Sequence, residues 1–317
     1  REAERVVEAR GDLAHEAAVE RGHRRGPVAV ERRARAELAV VVAAERVRAA
    51  VRVEGHVVED KAVLRRHARE AGVLDFAGGA VVHINAGVAG LVLAKFLGPR
   101  RGYPGGSLMP DNLVLTLIGA GMLWVGWFGF NGGSPFAASG DAVAAAFVTH
   151  ISAATASCTW MIWERMRFGK ASLIGIATGM VAGLASITPA AGHVGPMGAL
   201  IIGGAAGILC QEMINVVKQA FRIDDSLDVF AVHGIGGIWG TLALPFLAAA
   251  GLGGAGLGEG VSAVSQFVVQ VAGVVVVALF TIVVTVVVAM VCRALVGMRT
   301  DADTEQEGLD LTAHGER

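Results

Sequence analysis

Asp75 and His83 lie eight residues apart, and so do Asp225 and His233. Each pair opens a long apolar stretch, DFAGGAVVHINAG in the first case and DSLDVFAVHGIGG in the second. Eight helical residues rise about 12 Å, which carries each histidine toward the middle of a roughly 30 Å hydrocarbon layer. An ionisable side chain at that depth is costly and by default marks a pathway. Two neutral imidazoles there can share a hydrogen bond and offer donor or acceptor positions to a proton or a small polar solute. Each aspartate is placed to cap a helix, accepting backbone N–H bonds at its positive end. The plain alternative is that the aspartates only cap and that each imidazole is satisfied by a neighbouring helix. One spacing used twice points instead to a duplicated transport fold.

The elements that must position these residues follow from hydropathy. The chain has 317 residues, 54% of them hydrophobic, with a net charge of −1. Those totals average two different polymers. Residues 1–73 hold 16 Lys/Arg and 13 Asp/Glu, more than half of all the charge. The remainder carries apolar stretches at 76–94, 113–131, 142–163, 171–192, 196–217, 229–250 and 261–292. Seven spans of an all-α integral membrane protein are therefore expected. Small residues dominate several of them (GIATGMVAGLAS, IIGGAAG, GIGGIWG), as close helix packing in lipid requires. The last stretch exceeds what the layer needs and should tilt or curve along the outside of the bundle. Three cysteines, Cys158, Cys210 and Cys292, have no paired spacing and read as soft core residues. His150 and His193 read as interfacial, and Glu212 as a packing contact or a pore residue. No HExxH, P-loop, GxSxG or paired CxxC is present, so no enzyme chemistry is indicated, and no metal site or cofactor.

Charge sets the orientation. Lys95, Arg100 and Arg101 follow the first stretch; Arg165, Arg167 and Lys170 the third; Lys218 and Arg222 the fifth; Arg293 and Arg299 the last. The other three connections carry no Lys or Arg. The basic loops and the C-terminus are thus expected in the cytoplasm. Asp75 then starts its helix outside, Asp225 starts its helix at the cytoplasmic face, and the two histidines approach the midplane from opposite sides. Residues 1–73 fit poorly with this. They use ten residue types, with no aromatic and no isoleucine, and would have to cross the membrane unaided. Two readings stay open: a charged Ala/Arg/Glu helix or disordered extension, and the out-of-frame translation of GC-rich DNA. The expected division is residues 1–73 as a charged leader that is non-native or out of frame, 74–295 as the transmembrane region, and 296–317 as a cytoplasmic tail.

DFAGGAVVHINAGVAGLVLAKFLGPR, GMLWVGWFGFNGGS and DDSLDVFAVHGIGGIWG resemble the fifth, sixth and tenth helices of the ammonium transporter family (Amt/MEP/Rh). EGLDLTAHGE resembles that family's cytoplasmic tail. The likeness runs from Val73 to Glu316 and implies the family's helical bundle with inverted repeats, its first four helices missing. It implies a membrane channel for ammonium or ammonia, with methylammonium as analogue, serving nitrogen uptake. His83 and His233 would be the twin histidines of a hydrophobic pore. Asp75 would support recruitment of the cation, Phe130 would be a gate aromatic, and Ser134 the hydroxyl of the external ammonium site. Trp127 and Asn131 share that motif and are read as packing and loop anchoring, and Asp225 as structural near the pore. A homotrimer and a PII-type protein at the cytoplasmic face are implied partners, with no nucleic acid. The competing expectations are a truncated transporter fragment that conducts nothing and, more weakly, a metal-ion transporter using the histidines.

Overall fold

Every regular element among the described residues is helical, as a chain that must satisfy its own backbone in lipid requires. The structure, a computed structural model, describes residues 72–105 and 112–315. The expectations for the leader therefore lie outside the described residues, except for Gly72 and Val73.

The long helices are α1 (Ala80–Leu97), α2 (Leu113–Gly132), α3 (Gly140–Phe168), α5 (Pro196–Ala220), α6 (Phe230–Leu247) and α7 (Ala263–Leu295). Between α3 and α5 lies the shorter α4 (Leu173–Ile187), and α8 (Ala302–Glu307) follows α7. Sequence marks where they start. Asn112, Ser139 and Ser172 each accept the backbone N–H three residues on, and Ser262 forms a reciprocal capping box with Ser265. Pro196 opens α5, where its missing N–H costs nothing.

Among the described residues six helices are long and apolar enough to cross a membrane, and α4 is a shorter apolar helix of 15 residues. At 1.5 Å per residue that is about 22 Å, short of a roughly 30 Å core. The hydrophobic stretch 171–192 ran on through TPAAG, which folds as a turn. There Ala190 N–H donates to Ile187 O (2.9 Å) and His193 N–H to Ala190 O (2.8 Å).

Glycine permits the central packing. A Cβ on Gly183 or Gly203 would run into the backbone of Ser152, so α3, α4 and α5 approach almost backbone to backbone. Gly87 of α1 and Gly234 of α6 meet in the same way, and this crossing brings the two histidine-bearing helices together. α7 is exposed along most of its length, in keeping with a helix on the outside of the bundle. Of the cysteines, only Cys210 is core; Cys158 is exposed and Cys292 half-buried.

The loops rich in Lys and Arg gather at one end. Arg100 grips Asp224 through Nε (2.9 Å), Nη2 (2.8 Å) and its own backbone N–H (2.8 Å). Tyr103 Oη donates to Lys218 O (2.7 Å), and Lys218 pairs with Asp228 (2.6 Å). Arg299 donates to Pro99 O (2.9 Å) and pairs with Glu305 (2.8 Å), while Arg101 donates to Ala302 O (2.8 Å). The tail is thereby fastened to the connection that follows α1.

Candidate functional site

The two Asp–His motifs fold into the same local shape. In the first, Gly78 takes φ +83°, turning the chain so that Ala80 N–H donates to both Asp75 carboxylate oxygens (3.2 and 3.1 Å). In the second, Asp228 takes φ +57° at the equivalent place, and Phe230 N–H donates to Asp225 Oδ2 (2.8 Å). The carboxylates thus satisfy a first-turn donor, although each sits five residues ahead of the group it caps rather than at the N-cap itself. Both helices then open with a π-helical turn, Ala80–Ile84 and Phe230–Gly234, and each turn carries its histidine in fourth position. A π turn inside a longer helix is a recurrent feature of functional sites.

The two turns bring the imidazoles into contact. His83 Nδ1 and His233 Nδ1 are 3.2 Å apart, with ring centroids at 5.3 Å. Two nitrogens at that distance share one proton, so one ring is the Nδ1–H tautomer and its partner exposes Nε2–H. His83 is buried, and its Nε2 has no hydrogen-bond partner among the described residues. Trp127 lies flat against His83 (5.1 Å, 19°) and close to parallel with His233 (6.4 Å, 17°). Trp127 Nε1 donates to Thr188 Oγ1 (2.9 Å), which fixes the indole as a wall of the pair. Phe130 meets His83 edge-on at 6.1 Å.

Asn131 is buried and donates through Nδ2 to Thr149 Oγ1 (2.9 Å), an anchor between α2 and α3. Ser134 Oγ donates to Phe130 O (2.9 Å). A cavity of about 420 Å³ opens beside Leu74, Asp75, Phe76, Ser134, Pro135 and His193. It sits at the end opposite the Arg100–Asp224 pair.

Several residues that matter to this arrangement are not evident from local pattern. Gln270, fully buried on α7, accepts from Leu74 N–H (2.9 Å) and donates to Leu74 O (2.7 Å), pinning the residue just before Asp75. Its available signal was two glutamines four apart, Gln266 and Gln270, on an otherwise apolar helix. His150 lies in the middle of α3 and stacks on Trp124 at 5.2 Å, so it is not interfacial. Glu212 is a packing contact: it accepts from Trp163 Nε1 (2.6 Å) and pairs with Arg167 (3.3 Å).

An all-helical bundle with six helices long and apolar enough to cross a membrane among its described residues is the frame of a multi-pass membrane protein. The model of the Ammonium Transporter Family matches residues 55–317, and the chain belongs to that family. It is 44% identical over 247 residues to an ammonium transporter of Aquifex aeolicus, covering 78% of this chain and 57% of that one. With the ammonium transporter Amt1 of Archaeoglobus fulgidus the identity is 45% over 249 residues, covering 77% and 62%. Among solved structures it is similar to a sensor Amt protein (TM-score 0.70, 31% identity, covering 76% of this chain and 60% of that one). It is also similar to Saccharomyces cerevisiae Mep2 (TM-score 0.66, 33% identity, covering 74% and 56%). The chain thus spans somewhat over half the length of the relatives it matches.

Proposed function

We propose that this chain forms the pore wall of an ammonium channel, in which NH4+ is recruited at the outer cavity, gives up a proton, and crosses as NH3 past His83 and His233. The observation that carries the reading is the Nδ1–Nδ1 contact of 3.2 Å between two imidazoles on crossing helices, each introduced by the same carboxylate-capped π turn. Moving a bare cation through hydrocarbon is costly, whereas neutral NH3 with its proton relayed separately avoids most of that cost. The shared proton of the pair can change partners, and His83 Nε2 offers a position to the solute.

Each other residue takes a role that fits its surroundings. Asp75 and Ser134 hold the cation at the cavity, and Phe130, beside His83, separates the cavity from the pair. Trp127 walls the pair by stacking on His83, while Asp225 and Asn131 are structural. The end bearing Arg100, Lys218 and Arg299 faces the cytoplasm, as the charge of its loops favours. A homotrimer and a PII-type partner at that face complete the reading.

Uptake of radiolabelled methylammonium into proteoliposomes tests it. His83→Ala should change the rate at least about tenfold, the effect of ~1.4 kcal/mol on a barrier, or alter selectivity against potassium while the protein still inserts. Unchanged flux and selectivity would count against the pore assignment.

A second reading is supported by the exposure of α2, of whose residues only Trp127 and Asn131 are buried. On that reading this stretch conducts only when further helices cover α2. Wild-type proteoliposomes without flux that gain it on addition of those helices would favour it.

A further inference from the structure

Apart from the central pair, His193 lines the outer cavity. His193 lies in the turn between α4 and α5, held by its N–H to Ala190 O (2.8 Å) and by Ala255 N–H to its own carbonyl (2.9 Å). Its ring meets Phe76 edge to face, with centroids 6.2 Å apart at 82°, and it shares the lining of the 420 Å³ cavity with Asp75 and Ser134. The polar wall of that chamber is thus a carboxylate, a hydroxyl and an imidazole. The hydroxyl's proton is spent on Phe130 O, so Ser134 faces the chamber as an acceptor.

A small cation bearing several N–H groups needs acceptors. A neutral imidazole is one, and an imidazolium is not. Burial pushes His193 below the ordinary imidazole value, which keeps it neutral near pH 7. Among the described residues, the elements packed around it bring one other titratable group, Asp75. The turn 188–195, the loop 253–256 that bonds to it, and the segment 132–138 carry no ionisable side chain apart from His193.

We propose that His193 is a cation-binding residue of the outer chamber, accepting an N–H from ammonium or methylammonium, so that occupancy by the cation and protonation of His193 exclude each other. The identity of the cation rests on the function proposed above. Because coupling is reciprocal, the cation must make His193 harder to protonate by the factor that protonation weakens the cation's binding. Affinity is then at full strength above the His193 midpoint and is lost as pH falls through it, below the ordinary imidazole range.

The test uses the full chain in lipid nanodiscs with ring-labelled histidine, the His193 resonance being identified by its loss in His193→Gln. Its titration midpoint is followed by NMR in saturating methylammonium chloride and in sodium chloride of equal ionic strength. A tenfold coupling lowers the midpoint by about one pH unit. A midpoint that does not move overturns the proposal, whether or not the protein transports. If it moves while wild-type proteoliposomes show no flux, the chamber stands and the transport reading falls. Where flux is present, acidification should raise the half-saturation concentration of the wild type but not of His193→Gln, whose amide accepts without titrating. The same pH dependence in both would also overturn the proposal.

Discussion

The two Asp–His turns share a backbone and differ in what holds them. Before the first, Leu74 is clamped through its backbone by the neutral amide of Gln270. Before the second, Asp224 is clamped through its side chain by the guanidinium of Arg100. The positions are equivalent, each one residue ahead of the capping aspartate. The left-handed residue three positions after the aspartate differs in the same sense: Gly78 in the first turn, and Asp228 paired with Lys218 in the second. The first turn adjoins the cavity, and its aspartate also holds the Ala80 N–H. The second lies beneath ion pairs that join three segments of chain. One local fold is therefore held by a neutral amide in one copy and by ion pairs in the other.

If the amide clamp holds the entrance, removing it should have the largest effect. Gln270→Leu keeps the volume but removes the side-chain partner of Leu74 N–H and C=O and of Thr241 O, at about 3 kcal/mol in total. Thermal unfolding in detergent micelles reads this as a fall in melting temperature. Gln266→Leu, which loses the bonds to Gly72 O (2.9 Å) and Gln270 Oε1 (3.2 Å), should cost less, about 1–2 kcal/mol. Equal effects from the two would mean that the clamp on Leu74 holds nothing particular.

The clamps also show what the sequence could and could not disclose. Spans were legible because lipid forces long apolar stretches, and the paired histidines because a repeated spacing places them at equal depth. The mates of Leu74 and Asp224 lie 196 and 124 residues away, and no local pattern encodes a partner at that distance. Trp127 was visible in its motif, but its stacking on His83 depends on how α2 crosses α1. The shortness of α4 was hidden because the turn TPAAG carries no charged residue to mark the end of the helix. His193 was hidden as well: only the packing of that turn shows that it faces a cavity.

Breaking the second clamp should cost less. Arg100→Ala strands a carboxylate whose side chain is 1% exposed, but the arginine is 41% exposed and water can enter the vacated place. About 2 kcal/mol is expected, below the cost of orphaning a fully buried charge. The pH dependence gives a cleaner signature. The Arg100 hydrogen bond holds Asp224 below the usual carboxylate range. Its stabilisation is therefore complete above the ordinary carboxylate value and is lost as pH falls through the lowered one, below about pH 4. Wild type should lose stability across that window, and Arg100→Ala should lose less. Parallel pH curves for the two proteins would place the acid sensitivity elsewhere.

The smallest effects bear on why the left-handed residue differs. Gly78→Ala puts a Cβ on a residue at φ +83° and should cost about 1–2 kcal/mol. Asp228→Gly runs the other way. It relieves a left-handed aspartate by about 1 kcal/mol, adds a similar entropy to the unfolded chain, and gives up a pair with Lys218 worth at most ~1 kcal/mol where both side chains are partly exposed. The sum should lie within about 1 kcal/mol of zero, so the melting temperature of Asp228→Gly should stay close to that of the wild type. Should Gly78→Ala prove equally silent, the left-handed turn would not be what selects glycine at the entrance.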